Sequence, residues 1–138
     1  MFYIDSLGGV DRFDFDATSG TISNRVRWFT LEKLGIPGIP DGMTIDSDGN
    51  LWVAVVGASR VVKVDGSKSE TLLDTVNIPT EQVTSVTFGG QNLDELYVTT
   101  GFIYFRGVKP SRPAAGAIYR VTGLGVQGLP AANFKLND

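Results

Sequence analysis

The chain has 138 residues, a formal net charge of −3 at pH 7, and neither histidine nor cysteine. With 42% hydrophobic and 20% charged residues, it has the composition of one globular domain rather than of a disordered segment. Without histidine and cysteine, the chain by itself cannot form a Ser-His-Asp triad, a Cys-His pair or a structural zinc site. The remaining ligands are carboxylate, amide, hydroxyl and carbonyl oxygens, which calcium and magnesium prefer.

The basic residues are scattered and form no stripe, so nucleic acid is not an expected partner. No apolar run reaches the length of a membrane span, and we expect no membrane partner either. The absence of cysteine is compatible with a reducing compartment, and we predict a cytoplasmic location.

Taken in chain order, the sequence predicts many short strands joined by Gly, Asp and Asn turns. The predicted strands are 2–5, 9–16, 21–31, 42–45, 51–54, 59–65, 70–76, 84–88, 96–99 and 116–122. The segments FYID, LWVA and LYVT repeat along the chain at spacings of 49 and 45 residues. Short strands with such a period are typical of a β-propeller, in which each blade is one four-stranded sheet.

The predicted fold class is therefore all-β, a partial β-propeller of about three blades over residues 1–38, 39–80 and 81–130. The first blade lacks an inner strand before Phe2. Because a closed propeller needs about four to eight blades, we expect a partial propeller or a truncated chain. Such a fragment would expose unpaired strand edges and apolar blade faces to water.

Asp41 is the candidate site residue with the most informative surroundings, IPDGMTID (39–46). Pro40 before it and Gly42 after it hold its carboxylate at the entrance of a predicted strand. A carboxylate fixed in this way is a candidate ligand for a hard cation, or a candidate base. The alternative is an ordinary turn, because Pro, Asp and Gly each favour turns for independent backbone reasons.

Other polar segments carry less weight. Asp5 either faces the mouth of the channel or accepts hydrogen bonds from neighbouring turn amides. The segment DSDGN (46–50) invites comparison with an EF-hand loop, but its glycine is fourth rather than sixth, so we predict a hairpin turn. Trp28 and Trp52 are predicted to lie in the core between blades. Ser85 and Thr87 are predicted to line the channel, but without a neighbouring base their hydroxyls are not expected to act as nucleophiles.

A long loop, GFIYFRGVKPSRPAA (101–115), is predicted between the second and third strands of the last blade. Loops of this length in compact folds are usually functional or mobile, and this one would lie over the end of the propeller near Asp41. The alternative is an ordinary surface loop stiffened by Pro110 and Pro113.

Six segments in consistent order carry a family resemblance that covers nearly the whole chain. They are YIDS (3–6), IPDGMTID (39–46), DGNLWVA (48–54), VTFGG (86–90), ELYVTT (95–100) and AGAIYRVTGLGVQG (115–128). Together they resemble the C-terminal half of the SMP-30/gluconolactonase/luciferin-regenerating-enzyme family. The resemblance implies a six-bladed propeller with one divalent cation in its central channel, calcium first, with zinc, manganese and magnesium as alternatives. It also implies hydrolysis of sugar lactones such as gluconolactone.

Of the three metal ligands that the resemblance implies, only one maps onto this chain, at Asp41, which is also the implied base that activates water. The implied glutamate and asparagine belong to the other half. The family commonly carries an arginine shortly after the VTT strand, whereas Thr100 is followed here by Gly-Phe-Ile and the nearest arginine is Arg106. This departure leaves substrate contacts from the long loop open.

The predicted function is the C-terminal part of a calcium-dependent sugar-lactone hydrolase, with Asp41 as metal ligand and catalytic residue. The alternative is a non-catalytic calcium-binding or regulatory protein, or an inactive truncated propeller. Expected partners are a small-molecule sugar lactone in the complete fold and a complementary half-propeller. Whether this chain is itself an enzyme stays open, because two of the three ligands are missing.

Overall fold

The computed structural model describes residues 1–104, 107, 109 and 115–132. These residues form ten strands and one short 3₁₀ turn, Glu32–Leu34, without an α-helix. The strands are β1 (Phe2–Asp5), β2 (Gly9–Asp16), β3 (Thr21–Phe29), β4 (Ile39–Ile45), β5 (Leu51–Val56), β6 (Arg60–Val64), β7 (Leu72–Asn77), β8 (Val83–Gly89), β9 (Glu95–Thr100) and β10 (Ile118–Val121). The all-β prediction is confirmed, and every predicted strand has a counterpart.

The strands make three antiparallel sheets with the orders β1-β2-β3, β4-β5-β6-β7 and β10-β9-β8. Consecutive strands are neighbours throughout, as in the blades of a propeller. Within the described residues the middle sheet has four strands and the other two have three, and the sheets do not close into a ring. The prediction of a partial propeller is confirmed.

The middle sheet is buried on both faces, and β5 shows why its sequence is apolar throughout. Leu51, Val53 and Val55 belong to the core cluster between the first and second sheets. Trp52 and Ala54 alternate with them and belong to the cluster between the second and third sheets. Because successive side chains of a strand point to opposite faces, an unbroken apolar run is what a strand between two packed sheets requires.

The two outward faces of the stack are mixed rather than apolar, which differs from the expectation of exposed apolar faces. On the first sheet, Tyr3 and Arg27 are both in register with Asp11, on the face opposite the core residue Val10. Asp11 is only 1% exposed, and Arg25 lies 2.6 Å from it. On the third sheet, polar residues likewise alternate with core residues. The outward face of the first sheet thus carries the ion pairs of Asp11 with Arg25 and Arg27 beside the exposed ring of Tyr3.

One end of the molecule collects the beginnings of β4 and β8 and the ends of β5 and β9. The antiparallel pairs Ile39↔Val56 and Val83↔Thr100 place these four chain positions together. A bridge between Val56 and Gln82 joins the second and third sheets there. We call this region the Asp41 end, because Asp41 is the third residue of β4.

Candidate functional site

Asp41 lies inside strand β4, at an irregularity of the strand rather than in a turn that precedes it. The ladder between β4 and β5 shifts register between Pro40 and Met43, so Asp41 and Gly42 have no partner residues in it. The predicted turn before a strand beginning at 42 is thus corrected to a bulge in a strand that begins at Ile39. Bulges re-aim a side chain and are common beside functional sites.

The Gly42 backbone explains how β4 and β8 approach each other beside Asp41. A Cβ on Gly42 would lie 2.7 Å from both Cα and Cβ of Ser85 and closer still to its Oγ. Only glycine leaves room for β8 at this point. The Pro-Asp-Gly sequence therefore serves strand packing as well as the placement of the carboxylate.

The Asp41 carboxylate is partly buried, and the structure gives it neither an ion pair nor a side-chain hydrogen bond among the described residues. Burial raises the pKa of Asp41 above its ordinary value, because desolvation disfavours the charged form. A cation or a positively polarised ligand near this group would offset that penalty.

The carboxylate of Asp41 is the kind of ligand that a hard divalent cation prefers. One carboxylate is, however, too few ligands to hold such a cation. In the part of the chain that the structure describes, no three acidic residues come together in a group able to hold a metal. A calcium ion takes about six to eight oxygen ligands, so further ligands would have to come from outside these residues. The residues present supply one carboxylate of such a set.

Asp46 and Asp5 both have structural partners. Asp46 is fully buried, and its Oδ1 accepts hydrogen bonds from the backbone N–H groups of Asp48 and Asn50. This is the predicted hairpin turn rather than a calcium loop. Asp5 accepts a hydrogen bond from the backbone N–H of Leu7 at 3.1 Å, which matches the turn-amide alternative. Trp28 and Trp52 are buried, as predicted.

The residue that sequence reasoning missed at the Asp41 end is Gln82. Gln82 is only 5% exposed. Its Oε1 accepts a hydrogen bond from the backbone N–H of Ile103 at 3.1 Å. Its Nε2 donates to the carbonyl oxygen of the same residue at 2.5 Å. A lone glutamine before a strand carries no sequence signal for this contact, which depends on a loop about 20 residues further along the chain.

The long predicted loop leaves this end between β9 and β10. At its base, the Gly101 N–H donates to the Gln82 carbonyl oxygen at 2.7 Å, and the Thr100 hydroxyl donates to the Ala117 carbonyl oxygen at 2.7 Å. The middle of the predicted loop, including Arg106, Pro110 and Pro113, lies outside the described residues.

No helix in the described part of the chain is both long and apolar enough to cross a membrane.

Stacked antiparallel sheets of three or four consecutive strands, with a carboxylate on strand β4, define this chain as part of a propeller protein. The chain belongs to the SMP-30/gluconolactonase/LRE-like family, whose model matches residues 1–102. Regucalcin from Danio rerio is 42% identical over 136 residues, which cover 97% of this chain and 45% of that protein. Regucalcin from Homo sapiens is 44% identical over 134 residues, covering 94% of this chain and 43% of that protein.

Two solved structures show the same arrangement. A luciferin-regenerating enzyme superposes with a TM-score of 0.91 at 50% sequence identity, covering 99% of this chain and 45% of that one. A calcium-binding protein, regucalcin from Agrobacterium tumefaciens, superposes with a TM-score of 0.82 at 22% identity, covering 98% of this chain and 45% of that one, and supports the fold alone. The chain thus spans less than half the length of these relatives.

Proposed function

We propose that this chain is the C-terminal part of a divalent-metal-dependent sugar-lactone hydrolase of the regucalcin type, with calcium as the cation. Family membership supports the class of protein. The observation that carries the site is Asp41, a carboxylate without a described partner at a bulge of an inner strand. Each sheet would be one blade, over residues 1–38, 39–80 and 81–130, in a cytoplasmic protein.

In this proposal Asp41 has two tasks. The bulge holds its carboxylate at the Asp41 end, where one oxygen would contribute to a cation site and the other would accept the proton of an attacking water. The cation, when bound, would polarise the lactone carbonyl and stabilise the oxyanion. Zinc, manganese and magnesium remain alternative cations.

The test pairs this chain with the part of Danio rerio regucalcin that it does not cover, produced together and purified as a complex. We expect calcium-dependent hydrolysis of gluconolactone by the complex, and a loss of about 100-fold or more with Asp41→Asn. Asp48→Asn is the matched control, because Asp48 is an exposed aspartate in the turn at the far end of β4. Full turnover by the Asp41→Asn complex would show that Asp41 is neither ligand nor base.

A second candidate function is calcium binding without catalysis, or an inactive partial propeller. The absence of a group of three acidic residues in the described part of the chain favours the inactive partial propeller. Calorimetry of this chain alone with calcium separates the candidates. Micromolar binding without the complementary part would support a binding protein with ligands of its own. No measurable heat would exclude that protein, and hydrolysis by the complex then distinguishes a completed site from an inactive propeller.

A further inference from the structure

An apolar groove of about 440 Å³ lies between the first strand of the chain and the inner strand of the middle sheet. Its lining residues are Met1, Phe2, Met43, Thr44, Ile45 and Leu51. All of them except Thr44 are apolar, and Phe2, Met43 and Ile45 also pack against the core cluster between the first and second sheets. We call this feature the β1–β4 groove. An open apolar groove is unfavourable in water unless something covers it.

Strand β1 borders the groove with a free edge. It is the edge strand of its sheet, and among the described residues it pairs only with β2. Met1 and Phe13 exchange both of their backbone hydrogen bonds, each at 2.8 Å. Because successive N–H groups of a strand point to opposite edges, those of Phe2 and Ile4 point away from β2. The groove thus combines apolar side chains with backbone donors that an added strand would satisfy.

The C-terminal part of the chain leads toward this groove. An antiparallel bridge joins Asp46, directly after β4, to Gly128. Because the bridge is antiparallel, the chain that continues from Gly128 runs back along β4, toward Ile45 and Thr44 in the groove wall. Thr44 precedes Asp46 by only about 7 Å along the strand.

The chain beyond Gly128 is long enough to reach the groove. The described residues end at 132, and we call residues 133–138 the C-terminal segment. Its sequence, NFKLND, places Lys135 between Phe134 and Leu136, the alternation of a strand with one apolar face. The extended chain from Gly128 to Leu136 spans up to roughly 26 Å, well beyond the distance to the groove wall.

We infer that the C-terminal segment binds in the β1–β4 groove of the free chain, as a strand added to the edge of β1. Phe134 and Leu136 cover the apolar lining, Lys135 points to water, and backbone carbonyl groups of the segment accept hydrogen bonds from the N–H groups of Phe2 and Ile4. The segment thereby covers a strand edge that would otherwise be open to pairing with another chain. This inference goes beyond the proposed function and does not depend on it.

Disulfide formation in the full chain tests the contact, because the chain has no cysteine of its own. Thr44→Cys combined with Leu136→Cys places one thiol in the groove wall and one in the C-terminal segment. The matched control is Asp48→Cys combined with Leu136→Cys, since Asp48 is exposed in the turn at the same end of β4. In a glutathione redox buffer, we expect the groove pair to form its disulfide with an equilibrium constant at least about tenfold larger than that of the control pair.

Amide hydrogen exchange followed by NMR tests the strand pairing. The Ile4 N–H should exchange at least about tenfold more slowly in the full chain than after deletion of the C-terminal segment. Phe134→Ser combined with Leu136→Ser should act like the deletion, and Lys135→Ser is its matched control. The exchange rate of the Tyr3 N–H, which points to β2, should change by less than about twofold in every variant.

Three results would overturn the inference. The first is an equal disulfide equilibrium constant for the groove pair and the control pair, which indicates a segment without a preferred position. The second is an Ile4 exchange rate that the deletion does not change. The third is protection of Ile4 that survives the deletion and rises with protein concentration, which makes a second copy the occupant of the groove. None of these results bears on lactone hydrolysis by the complex, which Asp41→Asn tests separately.

Discussion

Strand β4 places two aspartates at opposite ends of the molecule with opposite surroundings. Asp41, near its start, has no ion pair or side-chain hydrogen bond among the described residues, and burial raises its pKa. Asp46, directly after its end, is fully buried and forms an ion pair with Lys63 at 3.0 Å. Trp52 Nε1 also donates a hydrogen bond to Asp46 at 3.0 Å.

The pKa values of the two carboxyls express the difference. Burial alone would raise the pKa of Asp46, but the hydrogen bonds from Trp52, Asn50 and Lys63 outweigh it and lower that pKa. The Asp46 carboxylate is therefore committed to the fold, whereas the Asp41 carboxylate still has its bonding capacity for a ligand. An acidic residue is a better site candidate when it is partly buried without partners than when it is buried with all of them.

The largest expected effect is from Asp46→Ala. This change leaves the Lys63 ammonium, only 14% exposed, without its carboxylate, and it removes the acceptor for the turn amides. Breaking one partner of a buried pair typically costs about 3–5 kcal/mol of unfolding free energy. Urea unfolding measures the loss. Asp48→Ala, in the same turn but exposed, should change stability by about 0.5 kcal/mol or less. Equal effects of the two variants would contradict a structural role for Asp46.

The sequence predicted the strands well because successive side chains of a strand point to opposite faces of its sheet, and each face has a defined environment. Both faces of β5 are covered by neighbouring sheets, so all its residues are apolar, and the turns beside it are rich in Gly and Asp. The sequence also identified Asp41 as the candidate ligand, although it placed the residue in a turn. The bulge depends on the close approach of Ser85 to Gly42, which comes from a strand about 40 residues away and has no local signal.

The contacts that could not be predicted are those that join separate strands through buried polar atoms. Lys63 is an alternating strand residue in the sequence, and only the register of β6 against β5 brings it to Asp46. The pairing of Gln82 with Ile103 depends in the same way on the path of a loop. Such networks follow from three-dimensional register rather than from residue type.

A smaller effect is expected when the packing beside Asp41 is changed. Gly42→Ala would force β4 and β8 apart, because the new Cβ meets the backbone of Ser85 as well as its side chain. Overpacking of this kind costs about 1–3 kcal/mol, measured by thermal or urea unfolding. The control is Gly89→Ala in β8, whose Cβ would meet only the ring of Tyr97 at 3.0 Å, a side chain that can move. A Gly42→Ala chain as stable as the wild type would show that the two strands do not pack this closely.

The smallest effect, and the sharpest test of the comparison, is the pH dependence of the two aspartates. Asp46 has a lowered pKa in the folded chain, so its stabilisation is present above its ordinary value near 3.8 and is lost as the pH falls through the folded pKa. Asp41 has a raised pKa, so its contribution is favourable when it is protonated and is lost as the pH rises through the folded pKa.

The stability deficit of Asp46→Asn should therefore grow from acid toward neutral pH. Asp41→Asn should instead gain stability relative to the wild type over the same range, by about 1 kcal/mol or less. Urea unfolding of both variants and the wild type between about pH 3 and 7, with a chelator present, measures the two trends. Trends of the same sign would mean that Asp41 has an unrecognised partner and is not free for a ligand.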